Sequence, residues 1–307
     1  MNLSYFTADA FTSTPFAGAQ VAVFPNAQNL SGETMQSIAA EFNLNETVFV
    51  SPSDSKTNHF SVFTYTPRGE LNFGAHTVIA AAHVLASTGA IKLTEKHTPC
   101  TFQLKEGELN LHVTGKDGRP ELVQFSMSLS PTIDRFTPLD GELSQILSLP
   151  ESAIAHTPYR PLLVSAKQNY LVVPVTYLKH VRNAVFDYKS WAQSAAPATM
   201  AQEILLVSTQ TEDHSASFHA RLLGPSIGLK EDPPIGAAIP AFAAYLSDHS
   251  HIKVGTYTFA VERGLHSTRK SIIQLEIDKR AGKPLTLRVG GQAVLMSEGT
   301  LRVAVAA

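Results

Sequence analysis

The sequence predicts a mixed α+β fold with room for two modest domains, and three observations carry that reading. First, a chain of 307 residues, 44% hydrophobic and 16% charged, is globular and long enough to bury two cores. Second, most of it breaks into short alternating segments, the period of strands, with few stretches of helical period. Third, two glycine- and alanine-rich stretches, ELNFGAHTVIAAAHVL and EDPPIGAAIPAFAAYL, are apolar on nearly every face. A helix of that kind needs burial on all sides, and a flat sheet covers only one of them. The two stretches can be laid together with Glu70 over Glu231 and Leu85 over Leu246, when Ala80 meets Ala241 and Ala82 meets Ala243. Alanine-rich helices match by chance, so pattern alone leaves a duplicated unit open.

In order, a strand at 2–7 is followed by the loop TSTPFAGAQ, a strand at 21–24 and a helix starting near Ser31. Met35, Ile38, Ala39 and Phe42 form the apolar stripe of that helix. The strand ETVFV starts at Glu46, SPSDSKTN turns the chain, and 59–66 alternates again. After PRGE the first apolar helix carries Val78, Ile79, Ala82 and Leu85 on one face and Ala80 and Ala81 on the other, with Gly89 as its stop. Strands are expected at 101–105, 108–114 and 122–129, with KDGRP as a turn. From about Pro131 the pattern gives a helix around 142–149, then strands at 170–175, 203–208 and 217–223. The second apolar helix and strands near 254–261, 272–277 and 285–296 complete the chain.

Composition excludes several functions. The net charge of -2, with Lys and Arg interspersed, offers no basic face for nucleic acid or anionic lipid, so a small-molecule partner is expected. One cysteine, Cys100, rules out an internal disulfide, a thiolate zinc site and chemistry needing two thiols in one pocket. The opening MNLSYFTADAF has no basic start and no long apolar run, which points to the cytoplasm. Residues 71–91 carry no charge, but Asn72, His76, His83, Ser87 and two glycines favour a buried helix over a membrane span. DHSH at 248–251 has no second ligand pair and reads as a solvated loop at a helix end, not a metal site. RVGGQ lacks the ending and setting of a phosphate loop.

The stretch NLNETVFVSP holds the residue hardest to explain by packing. Glu46 shares one side of a strand with Val48 and Val50, while Thr47 and Phe49 share the other, so a carboxylate opens a strand headed for the interior. Burial favours the protonated form of such a group, which suits one that passes a proton back and forth. The helix starts, Ala75-His76 and Gly236-Ala237, offer unpaired backbone N–H groups for a substrate carboxylate, although small residues there also simply let helix ends pack closely. His76 reads equally as a structural histidine, and Asp232, before two prolines, as a capping or turn aspartate.

Taken in order, DAFTSTPFAGAQVAVF, NLNETVFV, YTPRGELNFGAHTVIAAAHVL, EDPPIGAA and VGGQAVLMSEG resemble the phenazine-biosynthesis isomerase family, the PhzF-like proteins, from Asp9 to about Leu301. The resemblance implies the diaminopimelate epimerase-like fold: two similar α-β roll domains, each a mixed sheet wrapped round a central apolar helix, with the active site between them. It places the first domain at 1–130 with returning C-terminal strands at about 285–307, and the second at 131–284. It also implies a homodimer and no metal or organic cofactor. The glutamate of the family's NxxET motif, the general acid/base, falls on Glu46. The histidine of its Gly-His pair falls on His76 and the aspartate of its Asp-Pro-Val-Thr-Gly-Ser motif on Asp232, both orienting substrate and helping to hold the proton. Asn45, Gly74, Ala75, Gly236 and Ala237 are the expected substrate-binding positions. Racemases of the wider fold carry facing thiols where this chain has Gly74 and Ile235, so two-base epimerisation is not expected.

The chain also departs from the family pattern. Ala75-His76 replaces Gly-His, Gly18-Ala19-Gln20 replaces Gly-Asn-Pro, and Ile235-Gly236-Ala237-Ala238-Ile239 replaces Thr-Gly-Ser-Ala-His. Two hydroxyls and an imidazole are gone, so a less polar ligand is expected. Three readings follow: a cofactor-independent isomerase of a small carboxylated metabolite, a small-molecule binding or regulatory protein on the same fold, and a hydratase or decarboxylase using the same glutamate.

Overall fold

The computed structural model describes residues 1–53, 56–93, 96–228, 232–265 and 269–303. The chain forms two compact units, Met1–Met127 with Val289–Ala307, and Ser128–Arg288. Glu231, used above to lay the two helices together, lies outside the described residues, as do Asp54 and Ser55 of the expected turn and the last four residues.

The elements of the first stretch are β1 (Asn2–Ala10), β2 (Ala19–Phe24), α1 (Gly32–Phe42), β3 (Glu46–Pro52), β4 (His59–Thr66), β5 (Gly69–Leu71), α2 (Ala75–Ser87), β6 (His97–Leu104), β7 (Gly107–Lys116) and β8 (Arg119–Leu129). Next come β9 (Thr132–Asp134), α3 (Asp140–Leu147), β10 (Leu162–Ala166), β11 (Gln168–Pro174), α4 (Leu178–Asn183), α5 (Tyr188–Gln193), β12 (Glu203–Ser208) and β13 (Phe218–Leu223). A 3-10 turn (Gly236–Ala238), α6 (Ile239–Asp248), β14 (Gly255–Arg263), β15 (Ser271–Lys279), β16 (Leu285–Gly291) and β17 (Ala293–Arg302) finish the chain.

Within the first unit β1 pairs antiparallel with β17 and with β2, β2 runs parallel to β3, β3 antiparallel to β4, and β4 parallel to β6, which pairs antiparallel with β7. Each parallel pair needs a crossover, and the two crossovers hold α1 and α2. α1 is an amphipathic helix capped by Ser31, whose Oγ accepts the Thr34 N–H at 3.2 Å, and stopped by Asn43 at φ +49. Its Met35, Ile38 and Ala39 pack on Phe24, Phe49 and Tyr65. α2 is different in kind, for every residue from Ala75 to Ala86 is buried.

The second unit repeats the order. β10 and β11 are antiparallel, β11 and β12 parallel, β12 and β13 antiparallel, β13 and β14 parallel, β14 and β15 antiparallel. Its crossovers hold α4 with α5, and the 3-10 turn with α6. The register that laid Glu70 over Glu231 also lays Ala75 over Gly236 and Ser87 over Asp248, the two ends of both central helical segments. The fold is therefore two similar α-β rolls, each a mixed sheet round an apolar helix.

The structure corrects several local expectations. The second apolar segment opens as a 3-10 turn over Gly236–Ala238, and the α-helix begins only at Ile239, with Pro240 in its first turn. The strand expected over 285–296 breaks into β16 and β17 at Gln292, whose carbonyl accepts the Phe11 and Thr12 amides at 2.8 and 3.3 Å. Beside it the Phe11 ring lies against Gly291, where an added Cβ would sit 2.3 Å from Phe11 Cδ1. DHSH is not wholly solvated: His249 is buried, its Nδ1 2.8 Å from the Tyr245 carbonyl and its ring packed on Tyr159 and Tyr245. No helix among the described residues is long and apolar enough to cross a membrane.

Two stability predictions follow. Gly291→Ala drives a methyl into the Phe11 ring and is expected to cost about 1–3 kcal/mol, read by urea denaturation; an unchanged midpoint would contradict the packing. His83, buried in α2, has its imidazole pushed down to about 4 by burial. Its folded value lies below its unfolded one, so no penalty exists above about pH 6.5 and stability falls as the pH drops from there to about 4. The loss attributable to this side chain is about 3 kcal/mol at the acid end. His83→Leu should flatten that part of the stability–pH curve.

Candidate active site

Strand β3 lies between β2 and β4, with Glu46 opposite Val21 and Thr47 opposite Tyr65. Alternation sends Phe49 to the α1 face, where it packs in the cluster around Met35 and Ile38. Glu46 must therefore face α2, and it meets His76 there: Glu46 Oε2 lies 2.6 Å from His76 Nε2. The histidine side chain is 1% exposed and the glutamate 12%.

The helix start explains how His76 is held. Gly74 is the cap residue at φ −148 and ψ 121, ordinary extended backbone, so no side chain is barred by its torsions. The bar is steric, because an added Cβ would lie 3.2 Å from Thr77 Oγ1 and 3.3 Å from His76 Cε1. The Gly74 carbonyl accepts from Thr77 N at 3.1 Å, Thr77 Oγ1 at 2.6 Å and Val78 N at 3.2 Å. These bonds lock the first turn and leave the leading amides of Ala75 and His76 as the helix's positive end.

His76 Nδ1 is buried with no hydrogen-bond partner among the described residues. The hydrogen bond to Glu46 needs one proton between the two groups: either Nε2–H donates to a carboxylate, or a carboxyl donates to Nε2. A carboxyl donating to Nε2, like a doubly protonated ring, would put an N–H on partnerless Nδ1, which is costly, so the contact is Nε2–H donating to the carboxylate. The pair is thus built to carry a single shared proton, with the second carboxyl oxygen of Glu46 left over for another partner.

The other expected residues fall as follows. Asn45 is exposed at the bend before β3; Gly74 and Ala75 are buried at the start of α2. In the second unit Gly236 is buried and Ala237 half-buried in the 3-10 turn. Asp232, 13% exposed, accepts the Leu265 amide on Oδ2 at 3.2 Å and has Arg263 Nε 3.5 Å from the same oxygen. Its Oδ1 is buried without a partner among the described residues. Arg221, placed by the Val181 and Ala184 carbonyls at 3.2 and 2.8 Å, adds a second positive charge to its surroundings. Sequence reasoning missed both arginines, Arg221 on β13 shortly before the EDPP motif and Arg263 on β14 well after it. In the first loop Asp9, buried, accepts the Phe16 amide at 2.9 Å. Gly18 at φ +70 passes so near the Ala10 carbonyl that only glycine fits.

The fold is the one shared by PhzF-family and epimerase structures. Residues 8–299 match the family described as phenazine biosynthesis-like protein, PhzC-PhzF, and the chain belongs to it. An uncharacterized isomerase of Mesorhizobium japonicum is 29% identical over 302 residues, covering 97% of this chain and 98% of its own. The trans-2,3-dihydro-3-hydroxyanthranilate isomerase of Pseudomonas chlororaphis is 25% identical over 304 residues, with 97% and 98% covered. Among solved structures, a Bacillus anthracis phenazine biosynthesis protein of the PhzF family superposes with a TM-score of 0.85 at 20% identity, over 99% of this chain and all of that one. A hydroxyproline epimerase from Agrobacterium vitis gives 0.64 at 11% identity, over 98% and 91%. These two structures share the fold.

Gly74→Ala should displace the His76 ring by a few tenths of an ångström and weaken its hydrogen bond to Glu46, at a cost of about 1 kcal/mol in stability. The check is the ring-proton NMR signal of His76, which moves in the variant if the contact is as close as described.

Proposed function

We propose that the protein is an isomerase that moves a proton between two atoms of a small carboxylated metabolite, amino-acid-like or cyclic, with Glu46 as its acid/base. The observation that carries this reading is the Glu46–His76 pair, 2.6 Å apart at the start of a buried helix. Membership of the PhzF-like family, with relatives named isomerases, supports it. In the reaction Glu46 takes a proton from one carbon of the substrate and returns it to another, so the molecule is rearranged with no net gain or loss of atoms. His76 steadies the carboxyl in both states by donating Nε2–H to Oε2, while the substrate's proton is carried on the other carboxyl oxygen, and the leading amides of α2 suit the substrate's carboxylate. Within the second unit Asp232 keeps Oδ1 as an acceptor, its other oxygen being engaged by Leu265 and Arg263, which suits the substrate-orienting role that the family motif gives it.

One observation favours a second reading, a small-molecule binding or regulatory protein. The 3-10 turn at Gly236–Ala238 and its neighbours Ile235 and Ile239 present no side-chain donor.

Incubation with a panel of small unsaturated carboxylic acids in heavy water separates the two. The isomerase incorporates deuterium at carbon with at least one of them, and Glu46→Gln lowers the rate by about 10²–10⁴-fold while leaving the fold intact. Saturable binding without exchange, unaffected by Glu46→Gln, would establish the second reading.

A further inference from the structure

The second unit holds a buried histidine that neither its packing nor the proposed reaction uses. Along β13, Phe218 turns toward α6 and stacks edge-on against Phe242. His219 and Arg221 therefore face the opposite side of the sheet. There His219 stands beside Glu262, its register partner on β14, with Nδ1 2.7 Å from Oε1. Glu262 also accepts the amides of Glu212 at 2.6 Å and Asp213 at 2.8 Å. Burial alone would raise the Glu262 carboxyl, but the bonds from His219 and the two amides outweigh it and hold the group below its ordinary value.

A carboxylate only accepts, so the ring hydrogen sits on Nδ1, and a neutral imidazole then leaves Nε2 as a bare acceptor. That nitrogen is buried and has no hydrogen-bond partner among the described residues. A cavity of about 390 Å³ adjoins it, lined by His219, Glu262, Glu212, Lys270, Ser271 and Ile272 among others. This is the size of a small-molecule site. Its cations are already paired, Lys270 with Glu212, which also takes Arg182, and Arg263 with Asp232, while Asp213 accepts from Ser215 N at 2.8 Å and Ser215 Oγ at 2.7 Å. Among the described residues none donates to His219 Nε2. A histidine serving only to join β13 to β14 needs Nδ1 and gains nothing from a second nitrogen buried beside an empty space.

We propose that this cavity binds a small uncharged polyol or sugar-like molecule, one hydroxyl donating to His219 Nε2. A hydroxyl fits better than an amine because it can also accept from Lys270, whose ammonium has N–H groups beyond the one on Glu212. The internal pairing of the charges leaves none free to draw in an anion.

The test uses the full chain with ring-¹⁵N histidine, titrated with erythritol, D-ribose and myo-inositol. At least one should shift the His219 Nε2 resonance saturably and leave the exposed histidines unmoved, the resonance being assigned by its loss in His219→Gln. That variant keeps an N–H for Glu262 and moves its one acceptor, the amide oxygen, off the position of the ring's Nε2, and calorimetry should show affinity reduced about tenfold or more. If no polyol moves the resonance, or the glutamine variant binds as tightly as the parent, the proposal fails. It fails too if zinc shifts Nε2 and the polyols do not, since the cavity is then a cation site. Should the variant not fold, the titration of the parent decides alone.

Discussion

A helix that must be covered on every side is the constraint from which the first unit follows. α2 buries every residue from Ala75 to Ala86, and no single flat face can do that, so the strands on either side of its crossover close round it. The start of the helix is then inside the unit, and His76 with it. A buried imidazole nitrogen needs a partner that water cannot supply. The inward residues of the facing strand β3 are Glu46, Val48 and Val50, and only the first can accept or donate. The Glu46–His76 contact is thus what remains once the helix is buried, and a carboxylate opening an otherwise apolar strand has its explanation in the ring that faces it.

The second unit shows what the same plan does without the histidine. Strand β12 occupies the place of β3, parallel to the strand before and antiparallel to the strand after, and it opens EILLVS where β3 opens ETVFVS. Glu203 thus stands where Glu46 does. It accepts instead from Ser226 Oγ at 2.9 Å and lies against Gly224, whose absent side chain makes room for it. In the register of the two helices, Ala237 takes the position of His76. Two similar rolls therefore hold different chemistry: one a carboxyl–imidazole pair sharing a proton, the other an aspartate fixed by Leu265 and Arg263. The scaffold is common to both halves, and the residues at the equivalent helix starts, His76 and Ala237, make them chemically unequal.

How much of this was legible depended on how local the cause was. Strands β4 and β12 could be read to the residue, because the first alternates cleanly and the second is an unbroken apolar run, each between polar turn segments. β10 went unread, since LLVSA is a short apolar run behind a proline, and α4 and α5 span six residues each, too few to show a helical period. The break at Gln292 comes from the Phe11 ring lying on Gly291, a contact between chain ends that no window contains. The site divides along the same line. Alternation singled out Glu46, but its partner is 30 residues away, and the orientation of β3 toward α2 is a property of the whole roll. Asn45, one residue earlier, falls on an exposed bend. The Arg263 contact to Asp232 and the His219–Glu262 pair join strands that become neighbours only through the β13–α6–β14 crossover.

The lone thiol sharpens the contrast with chemistry that uses two. Cys100 is buried on β6 and burial pushes its thiol up to about 12, so it stays protonated and inert near neutrality. Nor could a thiol simply be installed at the start of α2. Any side chain at Gly74 begins with a Cβ 3.3 Å from the His76 ring and 3.2 Å from the Thr77 hydroxyl that closes the first helical turn. A side chain at position 74 therefore presses on the imidazole and on the Thr77 hydroxyl together, and glycine leaves both undisturbed against Glu46 and the first helical turn.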